Sequence, residues 1–127
     1  MKNPSRLRSL KVSDGFRSFV LDQLEGLGDV SARTMFGGVG LYCDGFFFGI
    51  IASDVLYVKV DDENRLDFER AGSKPFRPYA DRSSTMQYWA VPLDVLESAP
   101  ELIAWARKAV QAAERTPATR GRTRRPS

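Results

Sequence analysis

No histidine occurs among the 127 residues, and cysteine occurs once. The first absence removes Ser-His-Asp and Cys-His nucleophilic arrangements, histidine general bases and most zinc or iron sites. Only carboxylates, lysines and one thiol are left for acid-base work. The second absence excludes an internal disulfide and, with no signal-like apolar run after the basic start, fits a reducing cytoplasm. No apolar stretch approaches the roughly 20 residues needed to span a bilayer. The expectation is therefore a cytoplasmic, non-enzymatic chain with no cofactor, no metal and no membrane contact. At 14.2 kDa it has the length of one domain with a real core.

Acidic residues are missing from both ends. Residues 1–11 hold Lys2, Arg6, Arg8 and Lys11, and residues 115–127 hold Arg115, Arg120, Arg122, Arg124 and Arg125, with no acid in either. The intervening segment keeps ten basic residues against all 16 acidic ones, so the net charge of +3 describes basic ends on an acidic body. Three parts follow: a flexible basic arm at 1–12, an α+β domain at 13–114 and a disordered arginine-rich tail at 115–127. Arg120, Arg122, Arg124 and Arg125 can each neutralise a phosphate and release counterions, which predicts weak nucleic-acid binding without sequence choice.

What is abundant is short apolar runs between turn signals. Residues 30–60, VSARTMFGGVGLYCDGFFFGIIASDVLYVKV, are divided by Gly37-Gly38, Asp44-Gly45 and Ser53-Asp54 into segments too short for helices. They predict a four-stranded antiparallel meander. A two-residue Asp44-Gly45 turn sets Cys43 opposite Phe46, Tyr42 opposite Phe47, Leu41 opposite Phe48 and Gly40 opposite Gly49. One face then carries Met35, Gly40, Tyr42, Phe47, Gly49, Ile51, Leu56, Val58 and Val60, with a two-glycine dent suited to a close helix. The other carries Phe36, Val39, Leu41, Cys43, Phe46, Phe48, Ile50, Val55, Tyr57 and Lys59. Neither is polar, so the second must be covered by the chain's own helices or by a partner. Phe36, Leu41, Phe46, Phe48, Ile50 and Tyr57 form the candidate interaction surface for a protein partner or a second copy in a homodimer. Cys43 reads as a buried strand residue.

Around the meander, Ser13 or Asp14 caps a helix to about Gly26, with Phe16, Phe19, Val20, Leu24 and Leu27 at helical spacing. The run DDENRLDFERAG predicts a short acidic helix closed by Gly72, with Leu66 and either Phe68 or Ala71 inward. Its carboxylates lack the glycine and terminal glutamate of a calcium loop. Lys74 to Tyr79 is extended because Pro75 and Pro78 forbid helix, and Met86 to Val91 alternates as a last strand. Pro92 to Leu96 makes one turn. Ser98 and Glu101 form a capping box for a helix from Ala99 to about Glu114 with Leu102, Trp105, Ala106, Ala109, Val110 and Ala113 on one side. The fold class is α+β: a four-stranded meander plus one or two further strands, terminal helices and an acidic helix between strands.

Two further sites are weighed. Gly37-Gly38-Val39-Gly40 lacks phosphate-loop spacing and a following helix, and reads as a hairpin turn. Arg33, Lys59, Lys74, Arg77 and Tyr79 form a candidate anion or ligand patch, with salt bridges to the acidic helix as the alternative. Phe36, Tyr57, Phe76, Tyr79 and Trp89, with Arg33 or Arg77, supply the aromatic lining for a second function: binding a small anionic ligand. An enzyme using Lys59 or Asp61 is the remote third.

The order helix, RTMFGGVGLYCDGFFFGII, LYVKVD, KPF, MQYWAVP and PELIAWARKA resembles the N-terminal domain of the TfoX/Sxy competence regulators over roughly residues 13–114. Arg33 to Gly38 with Gly40-Leu41-Tyr42, Leu56 to Lys59, and Tyr88 followed by Pro92 carry the likeness. The resemblance implies an antiparallel sheet with flanking helices and a regulatory role in transcription of DNA-uptake genes, without catalysis. Full-length members carry a second, helical domain where this sequence has its arginine-rich end, which implies a stand-alone N-terminal domain. The resemblance carries over no catalytic or ligand residues.

Overall fold

Hairpin geometry sets the architecture. In the computed structural model, which describes residues 11–35, 37–77 and 87–116, Asp44 and Gly45 take φ of +52° and +86°, and Ser53 and Asp54 take +52° and +57°. Two successive left-handed residues make the type I′ turn, whose twist matches that of the strands it joins. The strands so connected are β2 (Gly38–Cys43), β3 (Phe46–Ala52) and β4 (Val55–Lys59), preceded by β1 (Val30–Met35). Met35 pairs with Gly38, so β2 begins one residue earlier than a Gly37-Gly38 turn requires. A short β5 (Tyr88–Ala90) adds to β4, giving a five-stranded antiparallel sheet in sequence order. Both the α+β class and the fifth strand are as expected.

The register departs from expectation at one residue. Cys43 opposes Phe46 and Tyr42 opposes Phe47, but Leu41 opposes Gly49 and Gly40 opposes Ile50. Phe48 is the extra residue of a β-bulge, and the expected Gly40–Gly49 and Leu41–Phe48 pairs do not form. Because side chains alternate with a period of two, one inserted residue exchanges the faces beyond it. Phe46 and Phe48 therefore share a face with Ile51, Leu56 and Val58 instead of opposing them. The glycine dent is also absent: a Cβ on Gly40 would lie 2.6 Å from the Met35 methyl and 3.2 Å from a Phe47 ring carbon. Side chains of the sheet itself fill that space.

Among the described residues both long helices lie on the bulged face. Ser13 accepts from the Phe16 amide at 3.1 Å and starts α1 (Asp14–Gln23), which ends at Leu24, short of Gly26. Val20, Leu24 and Leu27 are buried, whereas Phe19, expected inward, is 39% exposed. Beyond the sheet, α3 (Leu93–Leu96) leads into α4 (Ala99–Arg115). Ser98 accepts from the Glu101 amide, but the Ser98 amide donates to Val95 O, so only half of the expected capping box forms. Leu102, Ala106, Ala109, Val110 and Ala113 of α4 join Val39, Leu41, Phe48, Ile51, Leu56 and Val58 in the main core. Burying a side chain such as Phe48 contributes roughly 1.5–3 kcal/mol.

The acidic helix is shorter than expected. It is α2 (Arg65–Arg70), because Asp61 to Glu63 are held in a turn before it. The Asp61 amide donates to Asn64 Oδ1 at 2.8 Å, and Asn64 Nδ2 donates to the Lys59 carbonyl at 3.1 Å. Phe68 is the inward contact, meeting Trp105 edge-on at 4.8 Å, while Leu66, expected inward, is 52% exposed.

Candidate functional site

The face of the sheet turned away from α1 and α4 carries a row of aromatic rings. Tyr42 of β2 stacks on Phe47 of β3 with centroids 5.1 Å apart and planes 28° from parallel. Phe47 meets Tyr88 of β5 at 5.4 Å, and the Tyr88 hydroxyl donates to the Phe47 carbonyl at 3.4 Å. Tyr57 of β4 packs on Phe76 at 4.8 Å beside them. These rings share a face because Tyr42 and Phe47 are opposed before the bulge, while Tyr57 and Tyr88 follow the alternation of their own strands. Ile50, Ala52, Phe76 and Tyr88 are buried there as a second, smaller core.

Each end of the row is closed by a cation. The Arg33 guanidinium lies 5.3 Å from the Tyr42 ring centroid, and Lys59 Nζ lies 5.3 Å from that of Tyr88. A cation over a ring face gains about 0.5–1 kcal/mol at exposed sites and fixes the side chain's direction. Among the described residues neither cation forms a salt bridge. Burial lowers the Lys59 pKa below its ordinary value, and the nearby Asp61 only partly opposes this. Burial also pushes the Tyr88 phenol well up, so it stays a neutral donor.

The acidic segment engages other partners than expected. Asp61 accepts from Arg115 Nε at 2.9 Å and from its Nη2 at 3.1 Å, Asp62 pairs with Arg65, and Asp67 pairs with Lys108 at 3.1 Å. In place of the salt bridges anticipated for Arg33 and Lys59, the acidic segment pairs with Lys108 and Arg115 of α4 and with its own Arg65. Arg115, grouped with the tail in the sequence, ends α4 and ties it to the β4–α2 turn. That bidentate contact holds the Asp61 carboxyl below its usual pKa, and a carboxylate so engaged is poorly placed as a base.

The residues singled out in the sequence are thus dispersed. Of the candidate interaction surface, Leu41 and Phe48 have no exposure and Ile50 has 6%. Phe46 is half-buried against the main core and Tyr57 is half-buried beside Phe76. The helices supply in-chain cover for Leu41, Phe46 and Phe48, so a partner is not needed to hide them. Phe36 lies outside the described residues, as do Tyr79, Arg120, Arg122, Arg124 and Arg125.

The anion patch does not converge. Arg33 and Lys59 stand at opposite ends of the ring row, and the backbone around Lys74 flanks β5, with Lys74 O accepting from the Ala90 amide. Arg77 is exposed at the end of that segment. The aromatic lining divides too: Trp89 packs with Phe68 and the main core, on the face opposite Tyr57 and Phe76. A wide-mouthed cavity of about 460 Å³ is lined by Lys11, Ser13, Ser53 and Asp54, none of them aromatic. Cys43 is buried, and burial with the neighbouring Asp44 and Asp29 raises its thiol pKa, consistent with an unreactive core residue.

Tyr42, Phe47 and Tyr88 were not singled out as a unit from the sequence. The Tyr42–Phe47 pairing was available from the Asp44-Gly45 turn, but the contact with Tyr88 spans 41 residues of chain. No helix among the described residues is long and apolar enough to cross a membrane. No curated protein is found to match the chain. The family model described as the TfoX N-terminal domain matches residues 22–113, which takes in β1 to β5, α2, α3, most of α4 and the whole ring row. The chain belongs to the TfoX N-terminal domain family.

Proposed function

We propose that this chain is a competence-related regulatory domain that works by holding a protein partner, with the ring-bearing face and its margins as the contact region. The observation that carries the reading is the row Arg33–Tyr42–Phe47–Tyr88–Lys59. Tyrosine and arginine are enriched in the energetic centres of protein interfaces, where flat rings give contact area at small entropic cost. The row holds two cations that form no salt bridge among the described residues, and it brings no acid and base together at a reaction centre. A regulatory rather than catalytic role also agrees with the family.

Transcription of DNA-uptake genes in the native cell tests the reading. Deleting the chain lowers their transcripts, and restoring it with Arg33 and Lys59 both replaced by glutamate fails to recover them. The same exchange at Lys11, an exposed residue outside the row, restores them fully. Unchanged transcripts on deletion, or full recovery by the doubly exchanged chain, overturn it.

A further inference from the structure

The two edges of the sheet are finished differently. Beyond β5, the segment 74–76 closes the edge: Phe76 N donates to Tyr88 O at 2.7 Å, Ala90 N donates to Lys74 O at 3.0 Å, and Pro75 bridges to Trp89. A proline there removes a donor and blocks further pairing, a usual way of blunting an edge. The other edge is β1. It pairs with β2 over six consecutive residues without a bulge, has no proline, and carries Arg33 as its single charge. Its outer side has no strand partner among the described residues. Ser31, Arg33 and Thr34 are exposed, while Val30 and Ala32 rest partly buried against the main core. The strand is thus anchored by one set of side chains and presents its outer amides and carbonyls as a template.

We propose that the outer edge of β1 is a strand-addition site for an acidic extended segment of a partner protein, with a carboxylate of that segment held by Arg33. The proposal rests on the protein-contact reading and names its site and the chemistry of its partner. Charge selects the occupant. Arg33 is steadied over Tyr42 and has no described carboxylate partner, so an incoming Asp or Glu can take its fork of donors. A second copy is disfavoured. Two β1 strands related by a two-fold axis pair residues of equal parity, and the central registers set Arg33 against its own copy or diagonal to it, where like charges repel. The chain's own basic ends meet the same repulsion. Near the start of β1, the exposed Asp29 and Asp44 confine the acid's favourable position to the neighbourhood of Arg33.

The test uses the full chain labelled with nitrogen-15 and two blocked peptides of alternating valine and threonine, one with a central glutamate and one with a central lysine. The glutamate peptide should shift the amide signals of residues 30–35, slow their hydrogen exchange, and bind about tenfold more tightly than the lysine peptide, as one charge-assisted pair allows. Arg33→Glu should reverse that order while the remaining amide spectrum stays in place. Equal binding of the two peptides, perturbation centred elsewhere, failure of Arg33→Glu to reverse the preference, or concentration-dependent self-association through residues 30–35 would each overturn it. If the peptide fails at β1 while the doubly exchanged chain still loses regulation in cells, the site is wrong and the protein-contact reading stands.

Discussion

The Asp61 carboxylate ties the C-terminal end of α4 to the turn that follows β4. Its oxygens accept from Arg115 and from the Glu63 amide at 3.0 Å, while its own amide is taken by the buried Asn64. Because the folded carboxyl pKa is depressed, the pair's contribution is present above the ordinary carboxylate value and is lost as pH falls through the folded one. Both side chains reach solvent, so screening holds the contribution to about 0.2–1 kcal/mol. Arg115→Met should therefore lower the urea midpoint at pH 7, by a margin that shrinks as the pH falls below the ordinary carboxylate range. A difference that stays constant down an acid series would assign the loss to packing instead. Asn64→Ala removes a buried side chain and leaves the part-buried Asp61 amide and Lys59 carbonyl without it, and should cost more, about 1–3 kcal/mol by the same measurement. Cys43, at 3% exposure with a raised pKa, should resist alkylation under native conditions and react in full once the chain is unfolded in urea.

Within the β2–β3 hairpin the bulge at Phe48 decides what each element covers. With it, Phe46, Phe48 and Ile51 turn to the helices together, and Tyr42, Phe47 and Ile50 turn away. The glycines on either side of the irregularity respond differently to an added methyl. On Gly49 a Cβ would stand 3.2 Å from the Tyr57 carbonyl oxygen, which is held in the strand ladder and cannot retreat. On Gly40 the obstruction is chiefly the end of the flexible Met35 side chain. Gly49→Ala should therefore destabilise by roughly 1–3 kcal/mol, and Gly40→Ala by distinctly less. Thermal denaturation of the two variants side by side checks the order, and a reversed order would place the rigid obstacle on the wrong side of the sheet.

For the whole molecule, the question is how much of the charge at its ends belongs to the folded body. Arg115 does, through Asp61, so the segment available for phosphate contact begins after it. Removing residues 117–127, with their Arg120, Arg122, Arg124 and Arg125, should abolish any low-salt mobility shift of duplex DNA and leave the melting temperature within a degree or two. A shift that survives the truncation would direct attention to the cations of the body, Arg33 and Lys59 first. A melting temperature that falls sharply would mean that these residues support the fold.

Local chemistry was sufficient for a large part of this architecture. Asp44-Gly45 and Ser53-Asp54 demand left-handed turns, Ser13 and Ser98 supply caps, and the alternation Tyr88-Trp89-Ala90 gives a strand. Each is settled by residues within a few positions of one another, so order, pairing partners and most element bounds could be read from the chain. The bulge could not be read. Nothing in FFFGII marks Phe48 as supernumerary, because every residue there is apolar or glycine and either register buries hydrophobic groups; only packing against α4 distinguishes them. That one residue dispersed the expected interaction surface and left Tyr42, Phe47 and Tyr88 as the opposite face. Long-range charge pairing escaped for the same reason, since Asp61 meets Arg115 across 54 residues. The sequence determined which segments are strands and helices because turn and cap energetics are local. The tertiary structure alone decided which side of the sheet each aromatic faces, because that choice is made by the helices packed across it.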